Sequence, residues 1–258
     1  MTVYEEIAEI AHILWQKGWA ERNAGNICVD VTDDITAVPT KTPKIRLGTS
    51  YPELSNRFFL AKATGSRFRE IARNVKENLV LVQIANAADG YHILEADKSR
   101  KPTSEFPSHL AIQAYLRKNQ MDQKAVLHTH PNYLIALTHI TEYLTDDKLS
   151  KLLWSMHPEM KVVMPEGVGL APYRTPGSNA LADVTIEALR KHRLVVWEKH
   201  GVVAIGKDLF EAFDLIDTAN KSAEIFFIAH KAGFQPQGLS HKQIAELGLL
   251  SEKMGKKT

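Results

Sequence analysis

The spacing of apolar residues along the chain predicts helices and short strands in alternation. Ile7, Ile10, Ala11 and Leu14 follow the i, i+3, i+4, i+7 spacing of one buried helix face, and Gly18 offers a stop just beyond them. Short apolar runs or alternating patterns, which are typical of strands, occupy residues 27–31, 58–63, 79–85, 91–94 and 125–129.

The second half of the chain continues this alternation. Helical spacing or a proline in the first helical turn predicts helices near 105–118, from 131, and over 149–156, 179–192 and 209–232. Strands are predicted at 160–164, 194–199 and 202–205. Ser240 and Gln243 form a capping-box pattern before a short last helix, and the polar tail 251–258 is expected to fray.

The order of these elements predicts the fold class. Residues 32–56, rich in Thr, Pro, Ser and charge, are interpreted as an extended loop or irregular hairpin. There are no internal repeats and no linker long enough to divide the chain. We therefore expect one α/β domain over residues 1–258, with a mixed, mostly antiparallel central sheet flanked by helices.

Charge and cysteine content narrow the function classes. The 258 residues include 32 Lys and Arg against 30 Asp and Glu, which gives no general attraction to nucleic acid or anionic membranes. The one cysteine, Cys28, cannot form an internal disulfide, and it is interpreted as a core residue rather than a nucleophile. The N-terminus lacks a signal-peptide pattern, and no apolar run approaches the ~20 residues of a membrane span. A cytoplasmic protein is expected.

Three histidines are candidate metal ligands. His128 and His130 end a predicted strand, where residues i and i+2 point to the same face, so both imidazoles can bind one cation. His200, before Gly201 at another strand's end, is the natural third ligand. Two partly exposed histidines at a strand end are the plainer interpretation. Four other histidines lie within helical patterns and are interpreted as surface or core-edge residues: His12, His109, His192 and His230.

Small polar segments could bind an anion. Thr103 and Ser104 precede Glu105 at a predicted helix start, where backbone N–H groups attract negative charge. A dipole-favoured acid at an ordinary helix start is the plainer interpretation of Glu105. The segments 23–26 and 64–66 are similar donor-rich turns. The sequence contains neither a P-loop nor a Rossmann glycine pattern, so no nucleotide cofactor is expected.

Taken in order, these segments resemble the class II aldolase/adducin family. The matching short motifs are Gly25-Asn26, Thr64-Gly65-Ser66, Thr103-Ser104-Glu105, His128-x-His130 and His200-Gly201. Longer matching segments are KGWAERNAGN, GYHIL, PTSEFPSH, HTHPNYLIALTH, PEGVGLAPYRTPG and FDLIDTANKSAE. The resemblance runs from about residue 10 to about residue 250, nearly the whole chain.

The resemblance implies a fold, a reaction and a set of site residues. It implies a nine-stranded, mostly antiparallel sheet and a cyclic homotetramer with active sites between subunits. Zn²⁺ would be bound by His128, His130 and His200, and Glu105 would be the acid/base. A second catalytic glutamate, reaching in from a neighbouring subunit, matches Glu159. The phosphate of the substrate would be bound by Asn23, Gly25, Asn26, Ser66, Thr103 and Ser104.

The implied reaction is the reversible cleavage of a phosphorylated ketose, L-rhamnulose 1-phosphate in the most similar branch, to dihydroxyacetone phosphate and L-lactaldehyde. Three features depart from the best-known member of that branch: Arg67 stands for a glycine, His139 stands for a tyrosine, and the 32–56 segment differs. Arg67 would add a phosphate contact or be a solvated charge.

Several rival interpretations stay open. Within the family, cleavage of L-fuculose 1-phosphate differs only in stereochemistry, while pentulose-phosphate epimerases place Asp where Glu105 lies, and a dehydratase is a third option. An adducin-like binding module would lack the metal ligands. A structural zinc protein would close its site with a fourth ligand, often cysteine.

Overall fold

A nine-stranded sheet runs through the described part of the chain, which comprises residues 1–36, 42–94 and 100–255 of a computed structural model. Its strands are β1 (Asn26–Asp30), β2 (Ile45–Arg46), β3 (Phe58–Lys62), β4 (Leu79–Ile84), β5 (Gly90–Ile93), β6 (Ala125–Thr129), β7 (Gly169–Ala171), β8 (Leu194–Trp197) and β9 (Gly201–Gly206). The spatial order is β2-β5-β4-β3-β1-β6-β9-β8-β7. Neighbours in this sheet are antiparallel, apart from the parallel pair β7 and β8.

Helices cover both faces of the sheet. They are α1 (Val3–Gln16), α2 (Phe68–Ile71), α3 (Phe106–Lys118), α4 (Asn132–Leu137), α5 (Asp146–Met156), α6 (Pro158–Val163), α7 (Asn179–Leu189), α8 (Leu209–Lys231) and α9 (His241–Gly255). No helix in the described ranges combines the length and apolar character that a membrane span requires. The mixed, mostly antiparallel α/β fold predicted from the sequence is confirmed.

The two faces of β6 pack against different helices. Ala125 and Leu127 join the core beneath α1 and α8. Val126 joins a second core beneath α3 and α7. Because side chains alternate along a strand, His128 lies on the same face as Val126. The first histidine of the candidate site therefore shares its side of the sheet with the helix that Glu105 precedes.

The strand predicted at 160–164 is wrong, because these residues belong to the helix α6 and the turn after it. Val162 and Val163 favour a strand by their branching, but Pro158 and Glu159 supply a proline and an acid in the first helical turn, and these outweigh them. A strand forms later, at β7, whose three residues are too few to show alternation.

The two segments predicted to be irregular are partly ordered. Within 32–56, the structure has 3₁₀ turns at Thr32–Asp34 and Pro52–Leu54 and the short strand β2, while residues 37–41 lie outside the described residues. The tail that was expected to fray from residue 251 is helical through Gly255, and residues 256–258 lie outside the described residues. Ser251 Oγ donates to the carbonyl of Val162 at 2.8 Å, which ties α9 to α6.

Candidate active site

Three histidines converge at one end of the sheet. Candidate ligand atoms of His128, His130 and His200 all lie within 4.8 Å of one another. Strand pairing brings them together, because His128 on β6 is opposite Val203 on β9, and the turn before β9 carries His200. The structure thus assembles the predicted metal-ligand set from two segments that are distant in sequence.

Hydrogen bonds orient two of the three rings. His128 Nδ1–H donates to the carbonyl of Val202 at 2.8 Å, and His130 Nδ1–H donates to Glu21 Oε1 at 2.8 Å. Each ring then presents an unprotonated Nε2, and these two atoms are 3.3 Å apart. Two lone pairs cannot hydrogen-bond to each other, whereas a cation between them would bind both.

His200 is fixed by a tight turn and an indole ring. Lys199 adopts a φ of 58°, and the His200 backbone N–H donates to the Trp197 carbonyl at 3.1 Å. The Trp197 ring stacks on His200 with centroids 5.0 Å apart and lies 4.4 Å from the His128 ring centroid. Nδ1 of His200 is buried and has no hydrogen-bond partner in the described part of the chain. A ring left unpaired in this way is available to a ligand from outside the chain.

The surroundings keep His128 and His200 in the metal-binding form. Burial first, and then the neighbouring His130 and His200, lowers the pKa of His128 well below 6.5. Burial, followed by His130, lowers the pKa of His200 to about 4. Only neutral imidazole binds a metal ion. Three nitrogen donors with an open fourth position suit Zn²⁺ in a catalytic site, so the residues present fit such an ion.

Gly201 packs directly against two of the candidate ligands. A Cβ at this position would lie 2.6 Å from the Thr129 carbonyl oxygen, 2.7 Å from His130 Cδ2 and 3.0 Å from His128 Cε1. The left-handed residue of this turn is Lys199, two positions earlier, so Gly201 is not needed for its backbone conformation. The requirement at Gly201 is close approach, because any side chain would push the two rings.

Glu105 turns its carboxylate toward the histidines. Its Oε2 is 4.0 Å from His128 Nε2 and accepts a hydrogen bond from Asn26 Nδ2 at 2.6 Å. Glu105 occupies the N-cap position of α3, yet its side chain makes no capping hydrogen bond. The plainer interpretation, an acid that serves the helix terminus, does not account for this orientation. A carboxylate beside the histidine cluster can exchange a proton with a bound substrate.

His109 orients the amide that contacts Glu105. Asn26 is buried, and its Oδ1 accepts a short hydrogen bond from His109 Nε2–H. Burial, followed by the charge of Lys62, lowers the pKa of His109 to about 3, so the ring is neutral. With Oδ1 engaged, the NH₂ group of Asn26 must face Glu105. The interpretation of His109 as a surface or core-edge residue is therefore wrong: it is 3% exposed and supports the site.

The segments predicted to bind phosphate meet near the end of β3. Thr103 N–H donates to the Lys62 carbonyl at 2.8 Å, and Thr64 Oγ1 donates to the Pro102 carbonyl at 2.6 Å. Asn23 receives a hydrogen bond from Lys62 Nζ at 2.7 Å. Lys62, the last residue of β3, thus contacts the turns 23–26 and 102–104, and Thr64 connects the turn 64–66 to the latter. Among the predicted phosphate ligands, Gly25, Asn26, Ser66 and Thr103 are buried, and Asn23 and Ser104 are exposed.

Gly25 lets the first of these turns approach β6. It has a φ of 69°, and a Cβ there would lie 2.9 Å from the His128 carbonyl oxygen and 3.1 Å from Phe68 Cε2. This conformation is available to glycine without strain. The turn is therefore held against the strand that carries the first two histidines.

Among the described residues, Glu159 makes no hydrogen bond or ion pair with the histidine cluster of its own chain. It is in the first turn of α6, and its exposed carboxylate is 3.1 Å from His157 Nε2. The structure therefore does not bring this predicted catalytic residue to the site within one subunit. Two residues that depart from the family pattern lie elsewhere in the chain. Arg67 Nη1 is 3.8 Å from Glu70 Oε1, and His139 is exposed.

Four residues that contact the site were not predicted from the sequence. Glu21, Lys62, His109 and Trp197 each touch a predicted site residue or its turn. Two of them carried a usable signal. Lys62 is a charge inside an apolar strand pattern, and His109 follows Glu105 by four residues, which places both on one side of a helix start.

Known proteins share this fold and sequence. The family model of the class II aldolase and adducin N-terminal domain matches residues 5–227. The rhamnulose-1-phosphate aldolase of Bacteroides thetaiotaomicron is 43% identical over 248 residues, covering 95% of this chain and 92% of that protein. The rhamnulose-1-phosphate aldolase of Yersinia pestis strain Pestoides F is 36% identical over 243 residues, covering 91% of this chain and 88% of that protein.

Solved structures agree with the sequence comparison. A sugar-phosphate aldolase from Thermotoga maritima superposes with a TM-score of 0.81 and 34% identity, covering 92% of this chain and 98% of that one. An L-fuculose 1-phosphate aldolase shares the fold with a TM-score of 0.66 and 22% identity, covering 98% of this chain and 96% of that one. The family model and the relatives each span most of the chain, and the chain belongs to the class II aldolase and adducin family.

Proposed function

We propose that this protein is a metal-dependent aldolase that cleaves L-rhamnulose 1-phosphate to dihydroxyacetone phosphate and L-lactaldehyde. The observation that carries the proposal is the Glu105 carboxylate, 4.0 Å from His128 within the three-histidine cluster. The choice of substrate rests on two relatives named rhamnulose-1-phosphate aldolase, at 43% and 36% identity.

The metal site would consist of His128, His130 and His200, and Zn²⁺ is the proposed ion. When bound, the cation supplies Lewis-acid stabilisation of the negative charge that develops as the carbon–carbon bond breaks, an effect of several kcal/mol. The protein's part is to fix the ring orientations. Glu21 and the Val202 carbonyl do this for His130 and His128, and Trp197 does it for His200.

Glu105 is the proposed acid/base. In cleavage it would deliver a proton to the carbon that has lost its bond, and in synthesis it would remove that proton. Its Oε2 is held by the Asn26 amide at 2.6 Å, so the carboxylate is positioned before substrate arrives. His109 fixes the direction of that amide through the other side of Asn26.

The donor-rich turns would bind the substrate's phosphate. The proposed contacts are Asn23, Gly25, Asn26, Ser66, Thr103 and Ser104. The turns that carry these residues are held by hydrogen bonds to Lys62 at the end of β3 and by the bridge between Ala63 and Pro102. Remote binding energy of this kind positions the reacting carbons against the acid/base and the metal.

The alternatives fit the structure less well. A binding module has no use for three convergent histidines, and a structural zinc site would add a fourth ligand, yet the described cluster contains three residues. The one cysteine, Cys28, is buried in a different core cluster, and its pKa is raised well above 9.0 by burial and by Asp30. L-Fuculose 1-phosphate stays the rival substrate.

Two substitutions test the roles of the site residues. Glu105→Gln is expected to keep bound metal and lose turnover by roughly 10²- to 10⁴-fold, since general acid–base catalysis contributes about that much. His200→Ala is expected to lose the metal and the activity together. Glu187→Gln, an exposed change on α7, is the matched control. Full turnover in Glu105→Gln, or unchanged metal content in His200→Ala, would refute the corresponding role.

We further propose a cyclic homotetramer in which Glu159 enters the site of a neighbouring subunit. Glu159 is exposed on α6, and among the described residues it makes no hydrogen bond or ion pair with the three histidines, which supports this. Mixing inactive Glu105→Gln and Glu159→Gln subunits should restore activity, because roughly a quarter of the interfacial sites then contain both glutamates. Glu159→Gln with full activity, or no recovery after subunit exchange, would reject the arrangement.

With one buried cysteine and no internal disulfide, we place the protein in the cytoplasm.

A further inference from the structure

A histidine lies beside Glu159 at the junction of two helices. His157 follows α5 and is the N-cap residue of α6, and its backbone is extended there, with a φ of −154° and a ψ of 124°. Its Nε2 is 3.1 Å from Glu159 Oε2. Among the described residues, this is the one ion-pair contact of the carboxylate that is proposed to enter a neighbouring site.

The two ring nitrogens of His157 have different surroundings. Nδ1 is buried and has no hydrogen-bond partner in the described part of the chain. A buried N–H without an acceptor is costly, and an unprotonated Nε2 would turn its lone pair toward the carboxylate. The proton of the neutral ring therefore belongs on Nε2. The ring offers Glu159 an N–H whether the imidazole is neutral or charged.

The turn that carries His157 is fixed from two sides. Pro158 is the first residue of α6, and a proline restricts the residue before it to the extended conformation that His157 adopts. On the other side, Leu239 N–H, just before α9, donates to the Ser155 carbonyl at 2.8 Å. The imidazole is therefore attached to a backbone that has little freedom.

The side chain of Glu159 is freer than its neighbour. It is 64% exposed, whereas the side chain of His157 is 29% exposed. A glutamate that is free to rotate loses rotamer entropy when a reaction requires one orientation. A contact that restricts the carboxylate before substrate binds removes part of this cost from the reaction. Because an ion pair this exposed adds little to stability, its loss should hardly change unfolding.

We propose that His157 is a positioning residue for Glu159: the imidazole holds the carboxylate on the surface of α6 in the orientation that serves the site of the neighbouring subunit. The inference rests on the proposed function, in which Glu159 acts across the subunit interface. It adds a residue that acts through Glu159 of its own chain.

Two substitutions separate the N–H of His157 from its bulk. His157→Leu removes the N–H and should lower kcat roughly 3- to 10-fold, the size of effect expected from one such contact. His157→Gln offers an N–H at the end of a side chain of similar length and should recover most of the loss. His12→Leu, at an exposed histidine on α1, is the matched control. Zinc per chain and thermal unfolding should match wild type in all three variants.

Mixed tetramers show in which chain His157 acts. Inactive Glu105→Gln and Glu159→Gln subunits are combined, and His157→Leu is added to one chain or the other. Each restored site takes its intact Glu159 from the Glu105→Gln chain, so His157→Leu in that chain should lower the recovered activity roughly 3- to 10-fold. In the Glu159→Gln chain the same substitution should change nothing, because that chain has no carboxylate to position.

The outcomes separate this inference from the shared site itself. Recovered activity that is the same whichever chain carries His157→Leu would overturn the inference while the shared site stands. Wild-type kcat in His157→Leu, or an equal loss in His157→Gln, would overturn it as well. No recovery in the parental mixture would reject the role of Glu159 across the interface and the inference with it.

Discussion

Replacing Gly201 by alanine tests the geometry of the histidine cluster. The added Cβ would lie 2.7 Å from His130 Cδ2 and 3.0 Å from His128 Cε1, and 2.6 Å from the Thr129 carbonyl between them. Ordinary carbon contacts begin near 3.5 Å, so the two rings must retreat by roughly 0.5 to 0.8 Å. Metal–ligand distances tolerate only about 0.2 Å.

The expected cost of Gly201→Ala has two parts. Overpacking of this kind lowers the free energy of unfolding by about 1–3 kcal/mol. Displaced ligands should lower the affinity for Zn²⁺ by roughly 10- to 100-fold, the size of effect seen when ligand orientation is disturbed. Activity at limiting zinc should fall in proportion to the lost metal, and excess zinc should restore part of it.

The assay measures zinc per chain after dialysis against a competing chelator, together with thermal unfolding. Gly48→Ala is the matched control, since no atom lies within 4 Å of the Cβ that it would add. A folded Gly201→Ala protein with wild-type zinc affinity would refute the reasoning, because it would show that the two rings are not held against this backbone.

Two further predictions concern the hydrogen bond that orients His130 and the contact between Asp146 and His192. Glu21→Gln replaces the carboxylate that accepts the His130 Nδ1–H at 2.8 Å with a neutral amide. The affinity for zinc, measured by competition with a chelator, should fall roughly tenfold. An unchanged affinity would show that the charge of Glu21 does not support the ligand. The pKa of Asp146 lies below 3.8, first because of its contact with His192 and also because it accepts the Leu170 N–H at 2.7 Å. A lowered carboxyl pKa adds stability above pH 3.8 that is lost as the pH falls through the folded-state value. Asp146→Asn should therefore unfold more easily than wild type at pH 6, and the difference should shrink as the pH falls below 3.8; a difference in denaturant titrations that stays constant over this range would contradict this.

Much of the fold follows from local pattern. The apolar residues of α1 are buried on one face as their spacing predicts, and the capping box of Ser240 and Gln243 forms as predicted, with Ser240 N–H donating to Gln243 Oε1 at 2.8 Å. The strand predicted at residues 160–164 was wrong. Val162 and Val163 favour a strand, but the preceding Pro158 and Glu159 begin the helix α6. The apolar pattern also failed at β7, which has three residues and gains its order from the parallel neighbour β8.

The site was predictable only in part. The alternation of side chains along β6 places His128 and His130 on one face, and this could be read from spacing alone. The approach of His200 depends on the pairing of β6 with β9, a long-range register that spacing does not encode. Lys62 and His109 each carried a local signal, but their contacts with Asn23 and Asn26 depend on long-range packing that such signals do not encode.

The proposed function is the metal-dependent cleavage of L-rhamnulose 1-phosphate. The most direct test measures cleavage of that ketose beside L-fuculose 1-phosphate, with and without a chelator, by detecting dihydroxyacetone phosphate through a coupled reductase. The account predicts cleavage that favours L-rhamnulose 1-phosphate, stops with chelator and returns with added zinc. Cleavage that survives complete removal of metal, or no cleavage of either sugar by zinc-loaded protein, would contradict it.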